Sequence, residues 1–154
     1  MIMLKPTPRL LKTVINLWPP FLGAGIKVCH IAKDWKQIDV SLRLGLTNRN
    51  YVGVHFGGSL YSMTDPFFML MLIQTLGRDY VVWDKAGAID YHKPGKGVVR
   101  ACFRLDDGQL QGIRERTANG DKYLPQLMVE IKDETGDIVA TVSKTLYIRR
   151  KKDR

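Results

Sequence analysis

Residues 48–77 constrain the fold more than any other part of the chain. A polar, glycine-bearing loop, Asn48-Arg49-Asn50-Tyr51-Val52-Gly53-Val54-His55-Phe56-Gly57-Gly58, leads within a few residues to the unbroken apolar block Phe67-Phe68-Met69-Leu70-Met71-Leu72-Ile73. A segment that is apolar on every side predicts a helix buried nearly all round, here over about 57–77 with Gly77 as its C-cap. Sheet must supply most of that cover. Asp65 stands at the entrance to the apolar block, where an ionised carboxylate is costly unless something pairs with it. Two readings stand side by side: Asp65 ahead of Pro66 is a helix cap followed by an N1 proline, or it serves a ligand or a reaction.

The flanking sequence supplies the sheet. Ile26, Val28 and His30 alternate with Lys27, Cys29 and Ile31, and after a turn near Asp34 the residues Ile38, Val40, Leu42 and Leu44 alternate with polar neighbours, which predicts a hairpin. Four further strand-like runs follow at 80–92, 97–105, 123–132 and 137–149, the last two joined by Glu134-Thr135-Gly136. In the 97–105 run, Val99, Ala101, Phe103 and Leu105 face one way and Arg100, Cys102 and Arg104 the other. A short helix near 107–118 is expected, capped by Asp106 or Asp107, with Leu110 and Ile113 on one face and Asn119-Gly120 as its stop. The order predicts an α+β fold: an antiparallel six-stranded sheet curled around one long helix. A helix covered by sheet on one side needs cover on the other, and a twofold-related second copy is the natural cover.

Ahead of the sheet, Thr7-Pro8 starts an N-terminal helix within residues 1–20, with Leu10, Leu11, Val14, Ile15 and Trp18 as one apolar stripe ending before Pro19-Pro20. The preferred reading packs this stripe on the domain or on a neighbouring subunit. The sharper one is a membrane-surface contact helped by Arg9 and Lys12. Lys5, Pro6, Arg9, Lys12 and Asn16 interrupt any signal-like apolar core. The block after Asp65 falls far short of the ~20 residues that span a bilayer.

With 154 residues, 45% of them hydrophobic and 25% charged, the chain is expected to form a single domain rather than a disordered one. The formal charge of +9 raises nucleic acid as a partner, but the basic tail over 149–154 supplies much of the excess and no nucleic-acid module accompanies it, so none is expected. Cys29 and Cys102 have no partners at metal-ligand spacing and read as buried thiols in a reducing, cytoplasmic setting. His30 reads as a sheet residue and His92 as a loop residue, and no metal is predicted.

The loop and helix entry carry a resemblance. Asn50 and Gly53, the pair Gly57-Gly58 behind a histidine, and a carboxylate seven positions beyond the second glycine resemble the hotdog-fold thioesterases, especially the phenylacetate-pathway type and an allied hotdog family of unassigned function. The pattern extends over roughly 27–148. In the family the histidine directly precedes the glycines, whereas Phe56 stands between here, and Val82-Trp83-Asp84-Lys85 occupies the place where these thioesterases often carry a hydroxyl.

The resemblance implies an acyl-CoA thioesterase in which Asp65 activates water, Gly57 and Gly58 offer backbone N–H donors to the oxyanion, Asn50 positions the substrate, and His55 polarises the same region. Helix-start amides suit that task, being unpaired and aided by the helix dipole. Phe67, Phe68 and Met63 would line the acyl chain, Asp84 would be a polar partner, and Lys93, Lys96 and Arg100 would meet the phosphates of coenzyme A, which enters only as part of the substrate. The implied assembly is a homodimer or dimer of dimers in which Asp65 faces glycines of the other subunit. The alternative is a hotdog protein that binds acyl groups or acyl-CoA without hydrolysing them.

Overall fold

The computed structural model describes residues 6–152, so the first five positions of the N-terminal segment and the last two of the basic tail lie outside the described residues. The elements run α1 (Pro8–Asn16), α2 (Pro19–Ala24), β1 (Ile26–Ile31), β2 (Gln37–Arg43), α3 (Gly57–Ser62), α4 (Phe67–Leu76), β3 (Tyr80–Tyr91), β4 (Val98–Arg104), α5 (Asp107–Arg116), β5 (Lys122–Tyr123), β6 (Gln126–Lys132) and β7 (Ile138–Arg150). Six strands form one antiparallel sheet in the order β1-β2-β4-β6-β7-β3, and the two-residue β5 adds to β7 as a seventh. This is the α+β hotdog architecture expected, with sheet wrapped on a central helical segment.

The inner face of the sheet is built by strict alternation. Ile38, Val40 and Leu42 of β2, Val99, Ala101 and Phe103 of β4, and Val129 and Ile131 of β6 are buried, while Arg100, Cys102 and Arg104 face outward. Against this face lie Phe67 and Phe68 of α4, whose rings each sit 5.1 Å from that of Phe103. Burying such side chains fully stabilises the fold by about 1.5–3 kcal/mol apiece, which accounts for the apolar block. Met63, Met71 and Leu72 complete the cluster. At the far end of β4, Asp106 caps α5 through a capping box with Gln109, and Leu110 and Ile113 turn inward.

The structure departs from the sequence pattern in five places. The central helix is two pieces, α3 and α4, separated by residues 63–66, and the Asp65–Pro66 peptide is cis. Pro66 has no N–H to continue the α3 ladder, so the chain turns and restarts with Pro66 itself as the N-cap of α4. Pro19-Pro20, expected to end the first helix, instead opens α2, since proline fits the first helical turn where the N–H is unused. The first apolar stripe is split: Ile15 is buried and Leu11 half-buried, but Leu10, Val14 and Trp18 point outward. A register shift between Val28 and His30 breaks the alternation of β1, leaving both Cys29 and His30 exposed. Cys102 is exposed too, so neither thiol is buried. Finally, the 123–132 run is cut into β5 and β6 by the Leu124-Pro125 pair.

Candidate active site at the helix break

The break between α3 and α4 carries Asp65 to the edge of the sheet. Its carboxylate does not cap α4, which has no side-chain cap hydrogen bond. It turns instead toward β7, where Asp65 Oδ1 lies 3.4 Å from Lys144 Nζ. The same ammonium is 3.6 Å from Asp84 Oδ2 on β3, and it sits over the Tyr61 ring at 5.0 Å from the centroid. Two carboxylates therefore share one cation, contributed by three different segments.

Strand geometry explains how they meet. Ala140, Val142, Lys144, Leu146 and Ile148 alternate inward along β7, so Lys144 occupies a core position, its side chain 4% exposed. On the neighbouring β3 the register shifts between Asp84 and Ala86, leaving Lys85 as the extra residue. That bulge puts Asp84, opposite Leu146, and Gly87, opposite Lys144, on the same inward face. Gly87 leaves room for the cluster, because a Cβ there would strike the Tyr61 hydroxyl and come within 3.2 Å of Lys144 Cδ. Asp84 thus pairs with Lys144 across the sheet rather than with its neighbour Lys85.

The electrostatics differ among the three groups. Burial raises the Asp84 carboxyl to about 6, helped by the neighbouring Asp65 carboxylate and opposed by Lys144. Asp84 Oδ1 is buried with no hydrogen-bond partner among the described residues. Burial alone would lower Lys144, but the carboxylates of Asp84 and Asp65 outweigh it and hold the ammonium above its ordinary value. Asp65 is the exposed member, with 53% of its side chain open to solvent against 23% for Asp84. The cluster is an inner, proton-binding carboxyl and an outer, accessible one bridged by a buried cation.

The remaining predicted site residues fall into separate groups. Gly57 and Gly58 open α3 behind Phe56, and the Tyr91 hydroxyl donates to Gly57 O at 3.0 Å. A Cβ at Gly57 would come within 2.8 Å of that hydroxyl, and one at Gly58 would fall 2.5 Å from the Phe56 ring, so the glycines let two aromatic side chains close over the helix start. Gly57 and Gly58 are the first two residues of α3, so the rest of that helix, Ser59 to Ser62, stands between their amides and the helix break, roughly 6 Å at 1.5 Å per residue.

Asn50 and His55 do other work in this structure. Asn50 Oδ1 accepts from the amides of Val52 and Val54 at 3.1 and 3.0 Å, locking its own loop. His55 is buried against the 95–97 connection: its amide donates to Gly95 O at 3.0 Å and Nε2 lies 3.1 Å from Gly97 O. Phe56, inserted between His55 and the glycines, takes the place beside the helix start. Burial pushes the His55 imidazole below its ordinary pKa against the pull of the Gly97 carbonyl.

Of the expected substrate contacts, Asp84 joins Asp65 on Lys144, and the others lie elsewhere. Phe67, Phe68 and Met63 are enclosed in the core. Lys93 is clamped between Asp133 and Asp137 at 2.6 and 2.7 Å in the final hairpin, and Lys96 and Arg100 are exposed, Arg100 on the outer sheet face. Among the described residues no group of three His, Cys, Asp or Glu side chains is arranged to hold a metal ion. Lys144 was overlooked in the sequence, although a lysine at an inward position of a period-two strand must find carboxylates.

The comparisons bear on the family and the fold. Residues 7–148 match the model of DUF4442, a domain of unknown function. A Pseudomonas aeruginosa protein of unknown function, PA5026, described as a probable thioesterase, superposes with a TM-score of 0.79 at 19% identity, covering 92% of this chain and 95% of that one. The Haemophilus influenzae thioesterase HI1161 gives a TM-score of 0.68 at 14% identity, over 98% and 96% of the two chains. A variant of the phenylacetic acid degradation protein PaaI from Thermus thermophilus gives 0.58 at 22% identity, over 84% and 98%. These similarities establish the hotdog fold. No curated protein matches the sequence.

Proposed function

We propose that this chain, which belongs to the DUF4442 family, is a hotdog thioester hydrolase whose reaction is run at the Asp65–Lys144–Asp84 cluster. The observation that carries this reading is the accessible Asp65 carboxylate held with the less exposed Asp84 on one buried ammonium at the break in the central helix. Asp65 takes a proton from water as that water attacks the thioester carbonyl carbon. The resulting oxyanion accepts from helix-start amides, those of Gly57 and Gly58 in a second copy of the chain. When the tetrahedral species collapses, the C–S bond breaks and the proton held by the carboxylate pair passes to the departing thiolate. Lys144 keeps the two carboxyls together, and Asp84, nearer neutrality than an ordinary Asp, stores the proton between steps.

An open sheet edge supports the second copy that this reading needs. β3 is the last strand of the sheet, twelve residues long and paired only with β7 among the described residues. An open edge of that length is a template for a twofold antiparallel partner. Light scattering at twice the 17.5 kDa chain mass is the expected result.

One observation favours a rival reading, binding without hydrolysis: the Asp65 carboxylate is held 3.4 Å from the buried Lys144 ammonium, which leaves it less free to meet a water. Purified protein assayed for thiol release with a panel of acyl-CoAs separates the two. Hydrolysis predicts turnover by the wild type and a loss of about 10²–10⁴-fold in Asp65→Asn. Thermal stabilisation by acyl-CoA with no thiol released, or an Asp65→Asn variant equal to wild type, overturns the proposal.

A further inference from the structure

The N-terminal helices present an apolar surface that the fold does not use. Ile15 and Phe21 are buried and Leu11 half-buried, and Asn16 exchanges hydrogen bonds of 2.8 and 3.0 Å with the backbone of Val28, so α1 and α2 are fixed along β1 by one side only. The other side carries Leu10, Val14, Leu17, Trp18 and Leu22, all exposed, with Leu17 at 66% and Trp18 at 49%. Leu10 and Val14 share a face of α1, Leu17 and Trp18 form the link to α2, and Leu22 lies in α2. This is a stripe, not a scatter of single apolar residues.

Charge decides what the stripe fits. The groove on one flank of α1 is lined by Arg9, Lys12, His30 and Lys33. A second groove, reached by Asn16 of α1 and Leu22 of α2, is lined by Lys27, Arg43 and Arg100. Neither has a carboxylate in its lining among the described residues. An isologous contact through these two grooves would bring cations of both copies together, with no carboxylate in either lining among the described residues. An apolar ridge with a tryptophan at its crest and basic flanks matches instead an anionic lipid surface, where apolar side chains enter the acyl boundary and cations meet headgroups.

We infer that the outward face of α1 and α2 docks on a membrane surface bearing anionic lipid. No helix in the described residues is long and apolar enough to cross a membrane, so the contact is peripheral. The inference is independent of the chemistry at Asp65, because vesicle binding is read without substrate.

The full chain is sedimented with vesicles of phosphatidylcholine alone and of three parts phosphatidylcholine to one of phosphatidylglycerol. Binding to the anionic vesicles, weakened by salt, is expected, together with a blue shift of Trp18 emission in a Trp35→Phe/Trp83→Phe background. Arg9→Gln/Lys33→Gln should weaken binding about thirtyfold, as two cations lost from a leaflet surface do. Leu17→Ser/Trp18→Ser should remove the apolar part. The charge-matched Lys122→Gln/Arg150→Gln, on β5 and the end of β7, should bind like wild type. Equal binding to neutral vesicles, no binding to either, or an equal loss in the charge-matched control overturns the inference. So does a drop in solution mass for Leu17→Ser/Trp18→Ser, which would give this face to a second copy.

Discussion

Replacing Lys144 with Met tests the cluster most directly, because Met fits an inward strand position between Val142 and Leu146 and removes only the charge. At 3.6 Å and an effective dielectric constant of about 20, the Lys144–Asp84 attraction is about 4–5 kcal/mol. Half-exposed Asp65 adds little, since solvent screens it. Losing the ammonium also relieves its own burial, so the net destabilisation is roughly 3 kcal/mol, in line with other buried pairs broken from one side. In a domain of this size that lowers Tm by about 6–12 °C.

The pH dependence makes the prediction specific. Asp84 has a folded pKa of about 6 against an ordinary 3.8, so its proton stabilises the fold at low pH and that stability is lost as pH rises through about 6. Removing Lys144, which pulls this pKa down, moves it higher still. The deficit of Lys144→Met should therefore be full at about pH 8 and fall below about 1 kcal/mol near pH 5, where Asp84 is neutral in both proteins. Urea unfolding at the two pH values measures it. The double variant Lys144→Met/Asp84→Asn should recover most of the loss, a coupling that two independent sites would not show. Equal deficits at both pH values, or a double variant no better than Lys144→Met, would refute the argument that Asp84 is the charge Lys144 compensates.

Gly87→Ala should destabilise by about 1–3 kcal/mol and displace Tyr61, because the new methyl meets the Tyr61 hydroxyl and Lys144; thermal melts and the Tyr61 ring resonances report the two effects. His55, whose pKa is lowered by burial, should stay neutral below its ordinary 6.5 in an NMR titration, and the stability it contributes is lost as pH falls through its lowered folded pKa, opposite in sign to Asp84. An imidazole titrating above 6.5 would contradict that burial.

Elements whose residues answer to one dominant requirement were legible in the sequence. β2 and β4 alternate without interruption, and α5 announces itself through the Asp106 cap, the Leu110 and Ile113 face and the glycine stop. Legibility fails where a backbone irregularity changes the period. The bulge in β1 exposes Cys29 and His30 together, and the bulge in β3 sends Asp84 and Gly87 to one face although they are three positions apart. Neither bulge has a glycine or proline at the shift to mark it. Pro66 and Pro125 were visible in the sequence, but whether a proline starts, stops or bends an element depends on what the chain packs against.

The same distinction explains why the site was half read. Asp65 was conspicuous because it borders an apolar block, and both sequence readings treated it as a lone group, either a cap or a base. Its actual neighbours lie on two strands, 19 and 79 residues away in sequence, so no local pattern joins them. What the sequence does contain is Lys144, a cation at an inward position, which by itself demands acids from elsewhere in the fold. Two carboxyls then face one ammonium, and burial raises the pKa of Asp84 to about 6. The chemistry open to this fold therefore turns less on the direction of the Asp65 side chain than on how firmly Lys144 holds it when a substrate arrives.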